Sequence, residues 1–333
     1  MKAFFITKYD KKTPLICGEI PLPILGENDV LIEMKAASLN PIDIKVKHGD
    51  MKIILSYKFP LILGNDGAGI VSKIGSKVTL FQPGDEVYFR PDKSSGIGTL
   101  AEFFALNEND VALKPKNLTM EEAASIPLVG LTCWQIFKRA NLQKGQKVFI
   151  QAGSGGIGTF AIQLAKYLGL TVATTASTKN FEMLKNLGAD ILIDYKTQKF
   201  EDILKDYDLV LNTQDEETLI KSMSVLKPGG KIISISVTPD PQFAKEWGMN
   251  WIMRMGVKFM SAKVRRQAKK HQVDYSFLLM DSSGSQLEEI ARLIEADLIK
   301  PVIDKIFPFE KTNEALAYLE SGHAKGKVIV KVN

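Results

Sequence analysis

Lys147-Val148-Phe149-Ile150-Gln151-Ala152-Gly153-Ser154-Gly155-Gly156-Ile157-Gly158 decides the fold. The first five residues read as a short apolar strand, and Ile157 to Tyr167 reads as a helix. A second strand, Thr171 to Thr175, follows about a dozen residues beyond the glycines. Gly153 to Gly158 fits the pattern G-x-G-x-x-G in the strand–turn–helix setting that gives the pattern its meaning. The first glycine permits a tight turn. Gly155 lets the backbone approach a pyrophosphate, and Gly158 lets helix and strand pack closely. The helix N-terminus then presents unpaired amides and a positive dipole end to phosphate. These properties predict a dinucleotide site over Gly153, Ser154, Gly155, Gly156, Ile157 and Gly158.

The end of the next strand selects the dinucleotide. NAD sites place an acid roughly 20 residues on, where it holds the ribose hydroxyls. This chain has Thr174-Thr175-Ala176-Ser177-Thr178-Lys179 there, with no acid. Ser177 can donate a hydrogen bond to a 2′-phosphate and Lys179 can add charge. NADPH is therefore the expected cofactor.

Outward from the glycines, strands and helices alternate. Asn180 to Asn186 reads as a helix, and Ile191–Ile193, Leu209–Leu211 and Lys231–Ile235 as strands. Val273 to Met280 reads as a last strand. This alternation predicts a doubly wound parallel sheet, covered on both faces. Upstream, Val30–Ala36, Ala68–Ile74 and Glu86–Phe89 read as short strands between Gly and Pro turns, the pattern of a β-rich, partly open barrel. Thr119 is placed to cap a helix, and another helix runs from about Val129 to Ala140. Gln286 to Leu298 reads as a helix and Gly326 to Val332 as a strand that returns to the first domain. Between 241 and 271, Phe243, Trp247, Trp251, Met255 and Phe259 recur at helical spacing. One or two amphipathic helices packed on the body are expected, with a substrate lid as the main alternative and a membrane-surface helix ranked below both.

With 333 residues the chain exceeds what one core organises, so two domains are expected. Its 45% hydrophobic and 24% charged residues are those of an ordered globular protein. The net charge of +5 is modest, and its basic residues are spread among acids, which does not argue for nucleic acid. Cys17 and Cys133 are too few for a disulfide framework or a four-thiolate zinc site and fit a reducing compartment. The N-terminal apolar run is too short for a signal peptide, and no stretch is long enough to span a bilayer. A cytoplasmic location is expected.

Several further stretches now carry a resemblance. They include Ser38-Leu39-Asn40-Pro41-Ile42-Asp43-Ile44-Lys45, Pro60 to Val71, Pro83-Gly84-Asp85-Glu86-Val87, Ala123 to Pro127 and Leu131-Thr132-Cys133-Trp134. Leu187-Gly188-Ala189-Asp190 and Leu226-Lys227-Pro228-Gly229-Gly230 continue the series. In this order and spacing the chain resembles zinc-free medium-chain dehydrogenase/reductases over nearly its whole length. Within them it is most similar to zeta-crystallin-like quinone oxidoreductases and plant alkenal and enone oxidoreductases. The resemblance implies a GroES-like domain over residues 1–124 and 283–333, with a Rossmann domain over 125–282 inserted and NADPH held in the cleft between them.

Zinc-dependent relatives carry Gly-His-Glu where this chain has Gly64-Asn65-Asp66, and a cysteine ligand near Ser38. His48, His271 and His323 are scattered without ligand spacing, so no metal is expected. Without a Lewis acid, the expected chemistry is hydride delivery to a carbon that is already electrophilic: a quinone, or the β-carbon of an α,β-unsaturated carbonyl. Hydrogen-bond donors then stabilise charge on the carbonyl oxygen. The donor candidates are Asn40, Lys45 and, in the Lys52–Phe59 loop, Tyr57, with Asp43 expected to orient Lys45 by charge pairing. The resemblance also implies cofactor contact by Lys45, by Thr132 on the nicotinamide side and by Tyr195 at the ribose phosphate. Lys327 reads as a strand-edge lysine. A homodimer is a possible assembly, because edge strands pair in relatives. The alternative function is a non-enzymatic NADPH-binding regulatory or RNA-binding protein, for which the Lys263–His271 basic run is the only support.

Overall fold

The computed structural model describes residues 1–52, 55, 57–92 and 98–332. Its strands are β1 (Lys2–Ile6), β2 (Ile16–Glu19), β3 (Asp29–Leu39), β4 (Leu61–Ile62), β5 (Asp66–Ile74), β6 (Glu86–Phe89), β7 (Phe103–Asn107), β8 (Val111–Leu113), β9 (Lys147–Ile150), β10 (Thr171–Ala176), β11 (Ile191–Asp194), β12 (Tyr207–Asn212), β13 (Leu226–Ser234), β14 (Asp274–Phe277), β15 (Ile303–Pro308) and β16 (Lys327–Lys331). Its helices are α1 (Pro41–His48), α2 (Met120–Ala124), α3 (Pro127–Ala140), α4 (Gly156–Tyr167), α5 (Phe181–Asn186), α6 (Phe200–Ile203), α7 (Glu216–Ser222), α8 (Pro241–Glu246), α9 (Trp251–Met260), α10 (Ala262–His271), α11 (Gly284–Glu295) and α12 (Thr312–Glu320). Two compact units result, Met1–Leu131 with Asp281–Asn333, and Thr132–Met280, so the division falls within α3.

The second unit is Rossmann-like. Its six strands run in the order β11-β10-β9-β12-β13-β14, all pairs parallel. The strands are apolar because both faces are covered; Val148, Phe149 and Ile150 are fully buried, and β12 is buried along its length. The chain leaves β9 outward through β10 and β11, then returns to β12 on the other side. The order therefore reverses between β9 and β12, and such a switch point leaves a crevice beyond the carboxyl ends of those two strands.

The first unit is β-rich and carries the GroES-like fold. A seven-stranded sheet follows β15-β16-β3-β5-β6-β8, with β7 also on β3, and a smaller sheet follows β2-β1-β4. β3 organises the unit because it pairs antiparallel with β5, β7 and β16. Phe4, Ile32, Met34, Phe89, Leu100 and Val330 belong to one buried cluster beneath these sheets. The Tyr88 hydroxyl, fully buried, donates to the Leu287 carbonyl at 2.5 Å and ties β6 to α11. A stretch near the C-terminus is thus built into a sheet begun near residue 29.

β3 and β5 extend beyond the apolar runs read as strands, because their flanking residues complete ladders with neighbours. The short strands β1, β2, β4, β7, β8 and β15 gave no clear run of their own. The segment 241–271 forms three helices. It does not pack on the body as a whole. Phe243 is buried, stacks on Trp247 and meets Phe277 edge-on, but Trp251, Met255 and Phe259 are exposed. The apolar residues of α9 cover too wide an arc for one buried stripe, and only Met253 and Val257 are partly buried.

Candidate active site

The glycine-rich turn lies between β9 and α4. Gly155 is the N-cap of α4 and offers no side chain to cap it. The helix supplies no acceptor for the amides of its first turn, so those of Gly156, Ile157 and Gly158 remain for a ligand. A Cβ on Gly158 would sit 2.5 Å from the Gly153 Cα and 2.6 Å from the Ala152 oxygen, so glycine is required for the turn to lie on the helix. A Cβ on Gly155 would meet nothing closer than the Ala152 oxygen at 3.5 Å. The turn therefore has one packed side and one open side, and Ser154 to Ile157 are half-buried. This fits a pyrophosphate.

Ser177 and Lys179 follow β10, and Tyr195 follows β11, the neighbouring parallel strand. Ala176 and Asp194 are in register, which brings the two loops together. Ser177 is buried with its hydroxyl accepting from Asn180 Nδ2 at 3.4 Å, while Lys179 and Tyr195 are exposed. Asp194 is an acid at this place that the sequence reading did not weigh. Its carboxylate accepts from the Thr178 hydroxyl and, at 3.0 Å, from the Lys196 amide, and the Thr178 bond is the first cause holding its pKa low. Through these bonds it braces the loop.

A second polar group at the switch point was also missed. Asn212, at the end of β12, donates to Gln151 Oε1 at 2.7 Å, and Gln151 donates to the Ser222 hydroxyl at 2.6 Å. The Ser234 hydroxyl donates to Asn212 Oδ1 at 2.7 Å. These buried side chains fix the carboxyl ends of β9, β12 and β13. The polar residue at the end of each of these apolar strands was the available signal. Thr132 is buried on α3, and the next residue, Cys133, directs its thiol to the Ile157 carbonyl at 3.6 Å, tying α3 to the first turn of α4.

In the first unit, registers align three side chains across adjacent strands. Val328 faces Leu39 and Ser38 faces Asp66, so Lys327, Asn40 and Asp66 fall side by side. Asp66 Oδ2 accepts from Lys327 Nζ at 3.1 Å and from Asn40 Nδ2 at 2.8 Å, while Oδ1 accepts from the Leu128 amide at 2.7 Å. Lys327 also donates to Asn40 Oδ1. All three residues are buried. Lys327 is therefore not a strand-edge lysine: β16 lies between β15 and β3, and its ammonium is the buried counter-charge of Asp66.

The same network reassigns Asn40. Its Nδ2 donates to Asp66 and, at 3.3 Å, to the Ser38 carbonyl, and its Oδ1 is taken by Lys327. No donor is left for a substrate. Asn40 also starts α1, its amide donating to Asp43 Oδ2 at 2.7 Å, while Asn65 Nδ2 donates to Asp43 Oδ1 at 2.7 Å. Asp43 is thus held by two asparagines and not by Lys45. Two residues apart on a helix, Asp43 and Lys45 face different ways; Asp43 is buried and Lys45 exposed. Lys45 forms no ion pair among the described residues.

Tyr57 is half-buried against the first unit's apolar cluster; part of its expected loop, residues 53, 54 and 56, lies outside the described residues. Burial pushes its hydroxyl up to about 12, opposed by the charge of Arg90 and assisted by Asp43. It remains a proton-bearing donor at neutral pH. Arg90 was not singled out in the sequence, where it is one arginine after a strand. Among the described residues its buried Nε has no hydrogen-bond partner, and burial lowers its pKa against the field of Asp66 and Tyr57. Among the described residues, no three His, Cys, Asp or Glu side chains cluster as metal ligands would. No helix among them is long and apolar enough to cross a membrane.

This architecture recurs in known proteins. The family model of the alcohol dehydrogenase GroES-like domain matches residues 26–116, and that of a zinc-binding dehydrogenase matches residues 187–330. The mitochondrial NAD(P)H oxidoreductase RTN4IP1 of Danio rerio is 36% identical, with 100% of this chain and 91% of that protein covered. The chloroplastic NADPH-dependent alkenal/one oxidoreductase of Arabidopsis thaliana is 34% identical over 99% of this chain and 79% of its own length. The solved quinone oxidoreductase of Coxiella burnetii superposes with a TM-score of 0.87 at 31% identity, covering 100% of this chain and 99% of that one. The chain belongs to the medium-chain dehydrogenase/reductase family, among its quinone and alkenal/one oxidoreductases.

Asp43 gives the first unit a distinct pH dependence. Burial raises its pKa from 3.8 to about 6, against the pull of its bonds to Asn65 and Asn40. The folded state then holds a proton that the unfolded chain has released, so this residue's contribution to stability falls as pH rises from about 4 to about 6. Above that range its contribution is constant. Denaturant unfolding of Asp43→Asn and the wild type across pH 4 to 7 checks this: the difference should shift in the variant's favour as pH rises. A pH-independent difference would remove Asp43 as its source.

Proposed function

We propose that this protein is an NADPH-dependent, zinc-independent reductase that transfers hydride to a quinone or to the C=C bond of an α,β-unsaturated carbonyl. One observation carries the reading: the open glycine turn on the uncapped start of α4, at the sheet's switch point, is followed by a loop with Ser177 and Lys179 where an NAD site would carry an acid. When bound, NADPH supplies the hydride. Gly153 to Gly158 and the α4 amides hold its pyrophosphate. Ser177, Lys179 and Tyr195 hold the 2′-phosphate, and Thr132 and Lys45 complete the cofactor contacts.

The acceptor's oxygen gains charge as its carbon receives hydride, and proton-bearing groups must face it. Tyr57 and Lys45 take this role, and Arg90 lowers the cost of negative charge beside Tyr57. Asn40 is a positioning residue, which aims α1 and therefore Lys45 by fixing the helix start. The donor set supports zinc independence, since asparagines stand at 40 and 65 and their amides are bonded to carboxylates. Two unpaired cysteines, one exposed and one buried, support a reducing, cytoplasmic setting.

The assembly we favour is a homodimer joined through β14, which ends the six-stranded sheet with one edge unpaired among the described residues. Sedimentation equilibrium should give twice the 36.9 kDa chain mass; a single-chain mass at micromolar concentration would reject the dimer.

NADPH oxidation measured over panels of quinones, enals and enones, with NADH as control, tests the main reading. Ser177→Asp should cut kcat/KM for NADPH by about 10- to 100-fold while sparing NADH, since the carboxylate repels the 2′-phosphate. Equal loss with both cofactors would place Ser177 elsewhere. Lys45→Ala should lower kcat/KM by roughly 10- to 100-fold and leave the denaturation midpoint unchanged, because the side chain is exposed. Normal turnover of that variant would end the role assigned to Lys45.

A further inference from the structure

α9 turns its apolar side outward. Trp251, Met255 and Phe259 recur every four residues, so they stand above one another on one face, with Ile252 beside them. They are 73%, 61%, 85% and, for Ile252, 62% exposed. The helix is well formed despite this. Asn250 caps it, accepting from the Met253 amide at 2.9 Å, and Ser261 closes it by donating to the Val257 carbonyl at 2.7 Å. The next helix, α10, holds it in place by burying Val264 and Ala268 in the second unit's core. A face of four large apolar side chains left in water forgoes the free energy that burying each of them would release. Such a face marks a surface awaiting a partner.

The charge around it says which partner. From Lys245 to Lys270 the chain carries eight lysines and arginines against one acid, Glu246. Lys263 is paired with Glu216, but Lys258, Arg266, Lys269 and Lys270 form no ion pair among the described residues. A second copy seated symmetrically on this face would set one basic segment against another. A neutral apolar partner would leave the cations unused. An anionic bilayer satisfies both features. An amphipathic helix with Trp and Phe on one face and Lys and Arg at its flanks lies in the plane of the interface, its apolar side among the acyl chains. Its cations then meet lipid phosphates.

We propose that α9, with the basic face of α10, is a docking surface for anionic phospholipid bilayers. The protein is a peripheral binder, held by side chains and not by a span. This inference does not rest on the reductase activity, and its test does not read that activity.

The full chain is co-sedimented with vesicles of phosphatidylcholine alone and of phosphatidylcholine mixed with phosphatidylglycerol. Binding should appear with the mixed vesicles, weaken with added salt and be much poorer with phosphatidylcholine alone. Trp251→Ser with Phe259→Ser should weaken it by about 100-fold. Lys269→Glu with Lys270→Glu should weaken it by about 10-fold or more on the mixed vesicles. All four side chains are exposed, so both variants should keep the wild-type circular dichroism. Failure to bind the mixed vesicles, or unchanged binding by the apolar variant, would overturn the proposal. So would a fall in solution mass on Trp251→Ser with Phe259→Ser, because the face would then belong to a second copy.

Discussion

The buried pairing of Lys327 with Asp66 is the constraint on which the first unit depends. The two residues are 261 positions apart, yet they lie on strands flanking β3, within 3.1 Å of each other. An ion pair of this kind is costly to bury and is tolerated only when its remaining hydrogen-bonding capacity is used. Here Asn40 and the Leu128 amide use it. Removing either charge would leave the other stranded in the interior. The pair therefore commits the tail of the chain to the sheet begun by β3, and Asp66 fixes the residue just inside the start of α3.

From that constraint the polar interior sorts itself. Asn40 is saturated by Lys327, Asp66 and Ser38 and works as a joint between β3 and α1. Asp43 accepts from that joint through the Asn40 backbone amide and from Asn65 Nδ2. Among the described residues, Tyr57, Arg90 and Lys45 stand outside these bonds. The asparagines at 40 and 65 hold the frame through their bonds to carboxylates, while burial keeps the Tyr57 hydroxyl protonated at neutral pH.

What was legible in the chain follows the distance over which each feature is encoded. The glycine turn is local: strand, turn and helix occupy about twenty consecutive residues, and each glycine has its own steric reason. The doubly wound sheet was legible because its strands are buried on both faces and read as unbroken apolar runs. Thr119 announced α2, and the structure shows the reciprocal bonds with Glu122 that the spacing implies. Lys327 was not legible, because nothing near it in sequence reveals a partner 261 residues away. Arg90 was hidden for the same reason: its importance lies in what surrounds it after folding. The expected pairing of Asp43 with Lys45 failed on helix geometry, which sets i and i+2 on different faces.

The α9 segment shows a different limit. Its helical spacing was plain, and the helix is there. Periodicity reports that a face is apolar, but not what that face is buried against. In a globular protein the default answer is the protein's own core, and for Phe243 and Trp247 that answer holds. For Trp251, Met255 and Phe259 it fails: all three are exposed, while the next helix, α10, places Val264 and Ala268 in the core. The excess of positive charge distinguishes the two cases. An inward-packing helix has no use for cations ranged along its flanks, whereas a helix that meets an anionic surface gains from each one. Charge read together with periodicity thus separates an apolar face made for the core from one made for a boundary outside the protein.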